Sequence, residues 1–130
     1  MPPPTTLLAV GPVPEGLDAS PWGPFERTDC ADLDAARARL AADDYAALLL
    51  VLPSAREAER LAHWPALSQA VLGAAVIVVT DHPDPALAAL LLERGVQDLL
   101  PSRDAQADTV ARLLHLAVAR RRIERDTRSA

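Results

Sequence analysis

The fold is decided by residues 74–102, AAVIVVTDHPDPALAALLLERGVQDLLPS. The segment opens with five consecutive apolar residues at 75–79, four of them β-branched. An unbroken apolar run is typical of a strand that is covered on both faces, whereas a half-exposed strand alternates apolar and polar residues. We therefore predict a buried strand that ends at Thr80.

The same segment then carries the signals of a helix and of a second strand. Asp84 and Pro85 suit the N-cap and the first position of a helix, which we predict over residues 86–94. Gly95 suits a left-handed C-cap, and we predict a short apolar strand over residues 96–100 that Pro101 ends. Such a strand–helix–strand unit with short loops forms a parallel pair with a right-handed crossover.

The rest of the chain repeats this alternation of strands and helices. We predict further strands at Thr5–Val10, Phe25–Cys30 and 45–52, and helices at Leu33–Ala42, 55–72 (interrupted before Pro65) and 105–125. Residues 15–24 contain two glycines and two prolines and can hold at most one helical turn. The pattern predicts an α/β fold with a doubly wound, five-stranded parallel sheet and a shortened first helix.

Composition and charge exclude several classes of protein. The 130 residues are half hydrophobic with a net charge of −5, and no apolar run reaches about 18 residues. Cys30 is the lone cysteine and the N-terminus lacks the basic region of a secretion signal, so we predict a cytoplasmic location. Residues 103–130 contain seven arginines and four acids, which suits a solvated helix end and leaves contact with an acidic partner or nucleic acid as the less favoured alternative. The acidic body is a poor nucleic-acid surface, and we predict no membrane partner.

The predicted ligand edge of the sheet carries little chemistry. Ligands of open parallel sheets bind outside the carboxyl ends of the strands, where the acidic residues here are Glu15, Asp81 and Asp84. No glycine-rich phosphate motif and no lysine is present, and the three histidines fall on separate elements. We therefore predict no enzyme activity, no metal and no cofactor.

Three stretches resemble the receiver domain of two-component response regulators: YAALLLVLPS, AAVIVVT and GVQDLLPS. They are similar to the phosphoacceptor strand with its proline loop, to the fourth strand with its terminal Ser/Thr, and to the fifth strand. The resemblance covers residues 45–122 and implies a flavodoxin-like fold. It assigns the magnesium-binding acidic pair to Gly11 and Pro12, the phosphoacceptor to Val51 and the fifth-strand lysine to Ser102, and only Thr80 agrees with the family.

These differences remove the chemistry of phosphorylation. Glycine and proline side chains offer no oxygen to magnesium, valine is not a nucleophile, and no lysine stabilises the phosphoryl oxygens. We expect a non-phosphorylatable pseudo-receiver. A residual ion site at Asp81 with help from Glu15 stays open, against the simpler interpretation that Asp81 and Asp84 cap the next helix.

A partner surface is also implied by the resemblance. In receivers the fourth helix, fifth strand and fifth helix form the usual dimer or partner surface, and the switch aromatic of the fifth strand falls at Leu99. The predicted partner surface consists of Leu87, Leu91, Leu92, Leu99, Arg112 and Leu116. We expect a homodimer through this surface or through the C-terminal helix.

The end of the chain suggests a larger signalling protein. We predict a flexible leader at 1–4, a receiver-like domain at 5–118 and a helical linker at 119–130, whose ARRRIERD resembles the helix that leads from many receivers into an output domain. The resemblance is to diguanylate cyclase and phosphodiesterase proteins of cyclic-di-GMP signalling. The main hypothesis is a signal-transduction module for that output domain; the alternative is a small-molecule sensor that uses the vacated pocket at the strand ends.

Overall fold

The computed structural model describes residues 3–129, without the side chain of Ser129. The predicted leader at 1–4 therefore lies half outside the described residues, and Pro3 and Pro4 precede the first strand. Among the helices of residues 3–129, none is both long enough and apolar enough to span a bilayer.

Five parallel strands form one sheet in the described chain. They are β1 Thr5–Val10, β2 Phe25–Cys30, β3 Ala47–Val51, β4 Ala75–Thr80 and β5 Asp98–Pro101. Their order across the sheet is β2-β1-β3-β4-β5, and each neighbouring pair is parallel. The doubly wound α/β prediction is confirmed, and β2 is an edge strand.

The helices follow the predicted alternation. They are α1 Leu33–Ala42, α2 Ala55–Ala62, α3 Leu67–Gly73, α4 Pro85–Glu93 and α5 Ala107–Ser129. A single 3-10 turn, Leu17–Ala19, replaces the helix that would follow β1, which confirms the shortened first helix. The predicted break before Pro65 is also found, since α2 and α3 are separate helices.

The boundaries of the last elements differ from the prediction. β5 begins at Asp98 and not at Val96, because the Val96 amide donates to the Leu91 carbonyl at the end of α4. The strand also includes Pro101, which pairs with Thr80 at an edge where a missing amide is tolerated. A 3-10 turn at Ser102–Asp104 delays the start of α5.

The core consists of one apolar cluster on each face of the sheet. β3 and β4 are buried at every position, as their unbroken apolar runs predict. The four helices α1–α4 cover one face, where Leu50, Val78 and Leu91 pack together. α5 covers the other face, where Leu49 and Ile77 pack beneath it.

We expect Leu91→Ala to lower the free energy of unfolding by about 2–5 kcal/mol, because Leu91 is 0% exposed and its removal leaves a cavity under α4. Leu92→Ala is the matched control on the same helix: Leu92 is 51% exposed, and we expect a loss under about 1 kcal/mol. Urea unfolding followed by circular dichroism measures both. Equal losses in the two variants would contradict the burial of this face of α4.

Candidate functional site

Backbone hydrogen bonds tie together the loops at the carboxyl edge of the sheet. The Gly11 amide donates to the Cys30 carbonyl at 3.2 Å and joins the ends of β1 and β2. The Asp81 amide donates to the Pro53 carbonyl at 3.0 Å and joins the loops that follow β3 and β4. These bonds fix the positions of the loops that would surround a ligand.

Gly11 occupies the tightest position at this edge. Its φ is +84°, a left-handed conformation that favours glycine, and a Cβ built there would lie 2.1 Å from the carbonyl oxygen of Val51. The end of β1 can approach β3 this closely only because residue 11 has no side chain. In this arrangement there is no room at position 11 for any side chain, a carboxylate included.

Val51 is part of the core. Its side chain is 6% exposed and packs in the cluster beneath α5, together with Leu49 and Val79. Burial of a valine side chain contributes about 1.5–3 kcal/mol relative to exposure. The position that the resemblance assigns to the phosphoacceptor is therefore occupied by an apolar group that stabilises the fold.

Thr80 lies at the end of β4 with its hydroxyl engaged. The residue is 1% exposed, and its Oγ1 donates to the Pro53 carbonyl at 3.3 Å. The same carbonyl accepts the Asp81 amide. The hydroxyl thus helps to join the loops after β3 and β4.

Asp81 and Ser102 form a direct contact between the loops after β4 and β5. The Ser102 hydroxyl donates to Oδ1 of Asp81 at 2.6 Å. The helix-cap prediction is confirmed for Asp84, whose Oδ1 accepts from the Leu87 amide at 2.7 Å, but it is wrong for Asp81. The register of β4 and β5 explains the contact between Asp81 and Ser102, which was not predicted. Thr80 pairs with Pro101, so the residues that follow them, Asp81 and Ser102, lie side by side.

The remaining groups at this edge do not assemble a reactive centre. Within residues 3–129, no three His, Cys, Asp or Glu side chains converge as a metal-binding group. Glu15 and Pro12 are exposed on the loop after β1. Burial raises the pKa of the Cys30 thiol and so disfavours its nucleophilic thiolate form.

A small cavity lies between the ends of β2 and β3 and the helices that follow them. Its volume is about 80 Å³, and its walls include Asp32, Leu52, Glu57 and Arg60. Ligand pockets for small molecules have volumes of about 300–1,000 Å³. This cavity suits a few water molecules and gives little support to a metabolite site at the carboxyl edge.

The predicted partner surface is only partly exposed. Leu91 does not belong to it, because this side chain is fully buried in the core under α4. Leu87 and Leu99 are half-buried and pack against the same core. Leu92 and Leu116 remain exposed, as does Arg112.

α5 presents an exposed stripe on the side opposite to the sheet. At 100° per residue, Arg112, Leu116 and Ile123 lie on one side of α5, whereas the buried residues Val110 and Leu114 lie on the other. Ile123 was not included in the predicted surface, although its spacing of seven residues from Leu116 was visible in the sequence. Two apolar side chains one heptad apart give this stripe the spacing of a helix–helix contact.

We expect Gly11→Ala to lower the free energy of unfolding by at least about 2 kcal/mol, because the methyl group would meet the Val51 carbonyl in a backbone conformation that already disfavours alanine. Gly73→Ala is the matched control, since a Cβ at Gly73 meets nothing within 4 Å; we expect a change within about 0.5 kcal/mol or a gain. Denaturant unfolding of both variants provides the measurement. Similar stabilities would show that Gly11 is not constrained in this way.

Comparison with known proteins identifies the fold. No family model and no curated protein matches the chain. Its structure is similar to the signal receiver domain of a Luxo repressor protein from Vibrio parahaemolyticus, with a TM-score of 0.73, 18% identity, and 96% of this chain and 98% of that chain covered. An atypical orphan response regulator gives 0.67 at 11% identity, covering 88% of this chain and 95% of that one. An orphan response regulator of H. pylori is similar with a TM-score of 0.66 and 12% identity, and the match covers 90% of this chain and 99% of that chain. At these identities the likeness establishes the fold alone: the chain has the flavodoxin-like fold of response regulator receiver domains.

Proposed function

We propose that this chain is a pseudo-receiver, a non-enzymatic cytoplasmic signalling module that works through protein contacts and is not phosphorylated. The observation that carries the proposal is the packing of Gly11 against Val51. The carbonyl of Val51 occupies the place of a side chain at position 11, and the Val51 side chain is part of the core.

Each chemical requirement of receiver phosphorylation lacks its group at the matched position. A magnesium ion needs carboxylate oxygens, and Gly11 and Pro12 supply none. The acyl phosphate needs a carboxylate nucleophile, and position 51 is a buried valine. At the position of the cation stands Ser102, whose hydroxyl is bonded to Asp81.

A structural neighbour supports regulation without phosphate. The atypical orphan response regulator has a phosphorylation-independent regulatory mechanism. That mechanism belongs to that protein, and the present proposal extends the same principle to this chain. In this chain the signal would come from the binding of a partner, because partner contacts need no acyl phosphate.

The C-terminal helix is the proposed connection to an output domain of the diguanylate cyclase or phosphodiesterase type. α5 continues without interruption through the predicted boundary between residues 118 and 119. A continuous helix transmits a rotation or displacement of the domain to whatever follows it. The basic and polar residues after Val118 suit a helix that leaves the domain, since the sheet no longer covers them.

Self-association is proposed through the exposed apolar side chains of α4 and α5. Leu92, Leu116 and Ile123 are large hydrophobic residues that the core of this chain does not cover. Exposed apolar side chains that the core leaves uncovered are typical of protein contact sites. A second copy of the chain is the partner that we propose for them.

Incubation with acetyl phosphate and magnesium should leave the intact mass of the protein unchanged, because no carboxylate is available at position 51. Beryllofluoride with magnesium should likewise leave its near-UV spectrum unchanged. A receiver domain that has its phosphoacceptor aspartate, treated in parallel, verifies the reagents. A stoichiometric mass increase of one phosphoryl group would overturn the proposal.

Leu116→Arg should weaken self-association by at least about tenfold, since it places a charge in an apolar contact. Leu72→Arg is the matched control, because Leu72 is 77% exposed but lies at the end of α3, outside the proposed contact. Analytical ultracentrifugation over a concentration series gives the dimer dissociation constants. A monomeric parent protein, or equal weakening by both substitutions, would refute the proposed dimer surface.

A further inference from the structure

The amino-terminal edge of the sheet, opposite to the edge described above, contains a large recess. A cavity of about 970 Å³ lies between α1 and α3. A second cavity of about 240 Å³ beside α5 shares Asp44, Tyr45, Gly73 and Arg125 with the first. Because they share these lining residues, the two cavities adjoin each other; we refer to the pair as the recess, which is bounded by α1, α3 and α5.

The recess is positively charged although the protein is acidic. Its lining contains four arginines and two aspartates: Arg37, Arg121, Arg122, Arg125, Asp43 and Asp44. The excess of two positive charges contrasts with the net charge of −5 of the whole chain. Such a local concentration of arginine favours anions.

Two of these arginines continue the buried stripe of α5. Against the sheet this stripe is apolar and includes Val110, Leu114 and Ala117. Beyond Ala117, the same side of α5 carries Arg121 and then Arg125, where the helix passes the amino-terminal edge of the sheet. These two arginines therefore face the recess, which Arg122 of α5 also lines.

Arg121 is held in place by a neutral group. Its guanidinium donates to the carbonyl of Leu72 at the end of α3, at 2.7 Å. Burial, followed by the positive charge of Arg125, lowers the pKa of Arg121. An anion in the recess would lie among charges that repel one another and would relieve that repulsion.

The larger cavity adds an apolar wall. Leu40, Pro65, Ala66 and Ala70 line it, and the mostly buried Tyr45 lies at the junction of both cavities. A volume near 970 Å³ falls in the range of pockets for small molecules. An apolar wall beside a group of arginines suits a ligand with an apolar part and a phosphate group, because guanidinium matches phosphate geometry.

We propose that this recess binds an organic phosphate of about nucleotide size, with the phosphate at the arginines of α5 and the apolar part between α1 and α3. The ligand would contact the segment of α5 that extends beyond the sheet. Binding would therefore restrain the direction in which this helix leaves the domain. The proposal is independent of the absence of phosphorylation, since it concerns the other end of the sheet.

The test is calorimetric titration of the protein with the four nucleoside 5′-monophosphates, their nucleosides and inorganic phosphate. We expect saturable binding of at least one nucleotide, with the matching nucleoside and inorganic phosphate weaker by about tenfold or more, because each lacks one of the two contacts. If no nucleotide binds, or inorganic phosphate binds as tightly as the nucleotides, the proposal is wrong.

Two pairs of variants locate the site. Arg122→Ala should weaken binding by about tenfold or more, whereas Arg120→Ala, an exposed neighbour on α5 outside the lining, should change it less than about twofold. A Cβ at position 73 meets nothing within 4 Å, so the long side chain of Gly73→Leu should fill part of the recess and block binding. The single methyl group of Gly73→Ala should leave enough room for binding. Thermal unfolding verifies that each variant is folded. Equal effects of Arg122→Ala and Arg120→Ala, or full binding by folded Gly73→Leu, would overturn the site.

Discussion

The contact between Gly11 and the Val51 carbonyl is the constraint on which the carboxyl edge of the sheet depends. Because residue 11 has no side chain, the end of β1 lies directly against the end of β3. The loops after β3, β4 and β5 are then joined by the bonds of Thr80 to Pro53 and of Ser102 to Asp81. The corner to which the resemblance assigns an ion and a phosphoryl group is here held together by direct protein contacts.

The two edges of the sheet consequently differ in what they offer a ligand. The carboxyl edge has a cavity of about 80 Å³, and its polar side chains Asp81 and Ser102 are hydrogen-bonded to each other. The amino-terminal edge has a cavity of about 970 Å³ and, beside it, a smaller cavity that is lined by arginines of α5. In the proposed mechanism, partners or ligands therefore act directly on the C-terminal helix α5, and not through a ligand at the carboxyl ends of the strands.

Much of the fold could be predicted because strong local signals mark its elements. Apolar runs identified β3 and β4, and proline and glycine marked the breaks around α4. The start of β5 was missed because Val96 is as apolar as a strand residue but its amide bonds to the end of α4. The burial of Leu91 was missed because α4 is apolar on most of its circumference, so its sequence does not show which leucine faces the sheet. The recess depends on where α1 and α3 end in space, which no local pattern encodes.

The central proposal is that the corner formed by Gly11, Val51, Asp81 and Ser102 does not bind a metal ion, and a magnesium titration followed by the amide resonances of the ¹⁵N-labelled protein tests it most directly. The amides of Gly11, Val51, Asp81 and Ser102 report on this corner. We predict that millimolar magnesium leaves these four resonances unshifted beyond the effect of an equal ionic strength of sodium chloride. A saturable shift confined to these residues would show that the corner binds a divalent cation and would contradict the account.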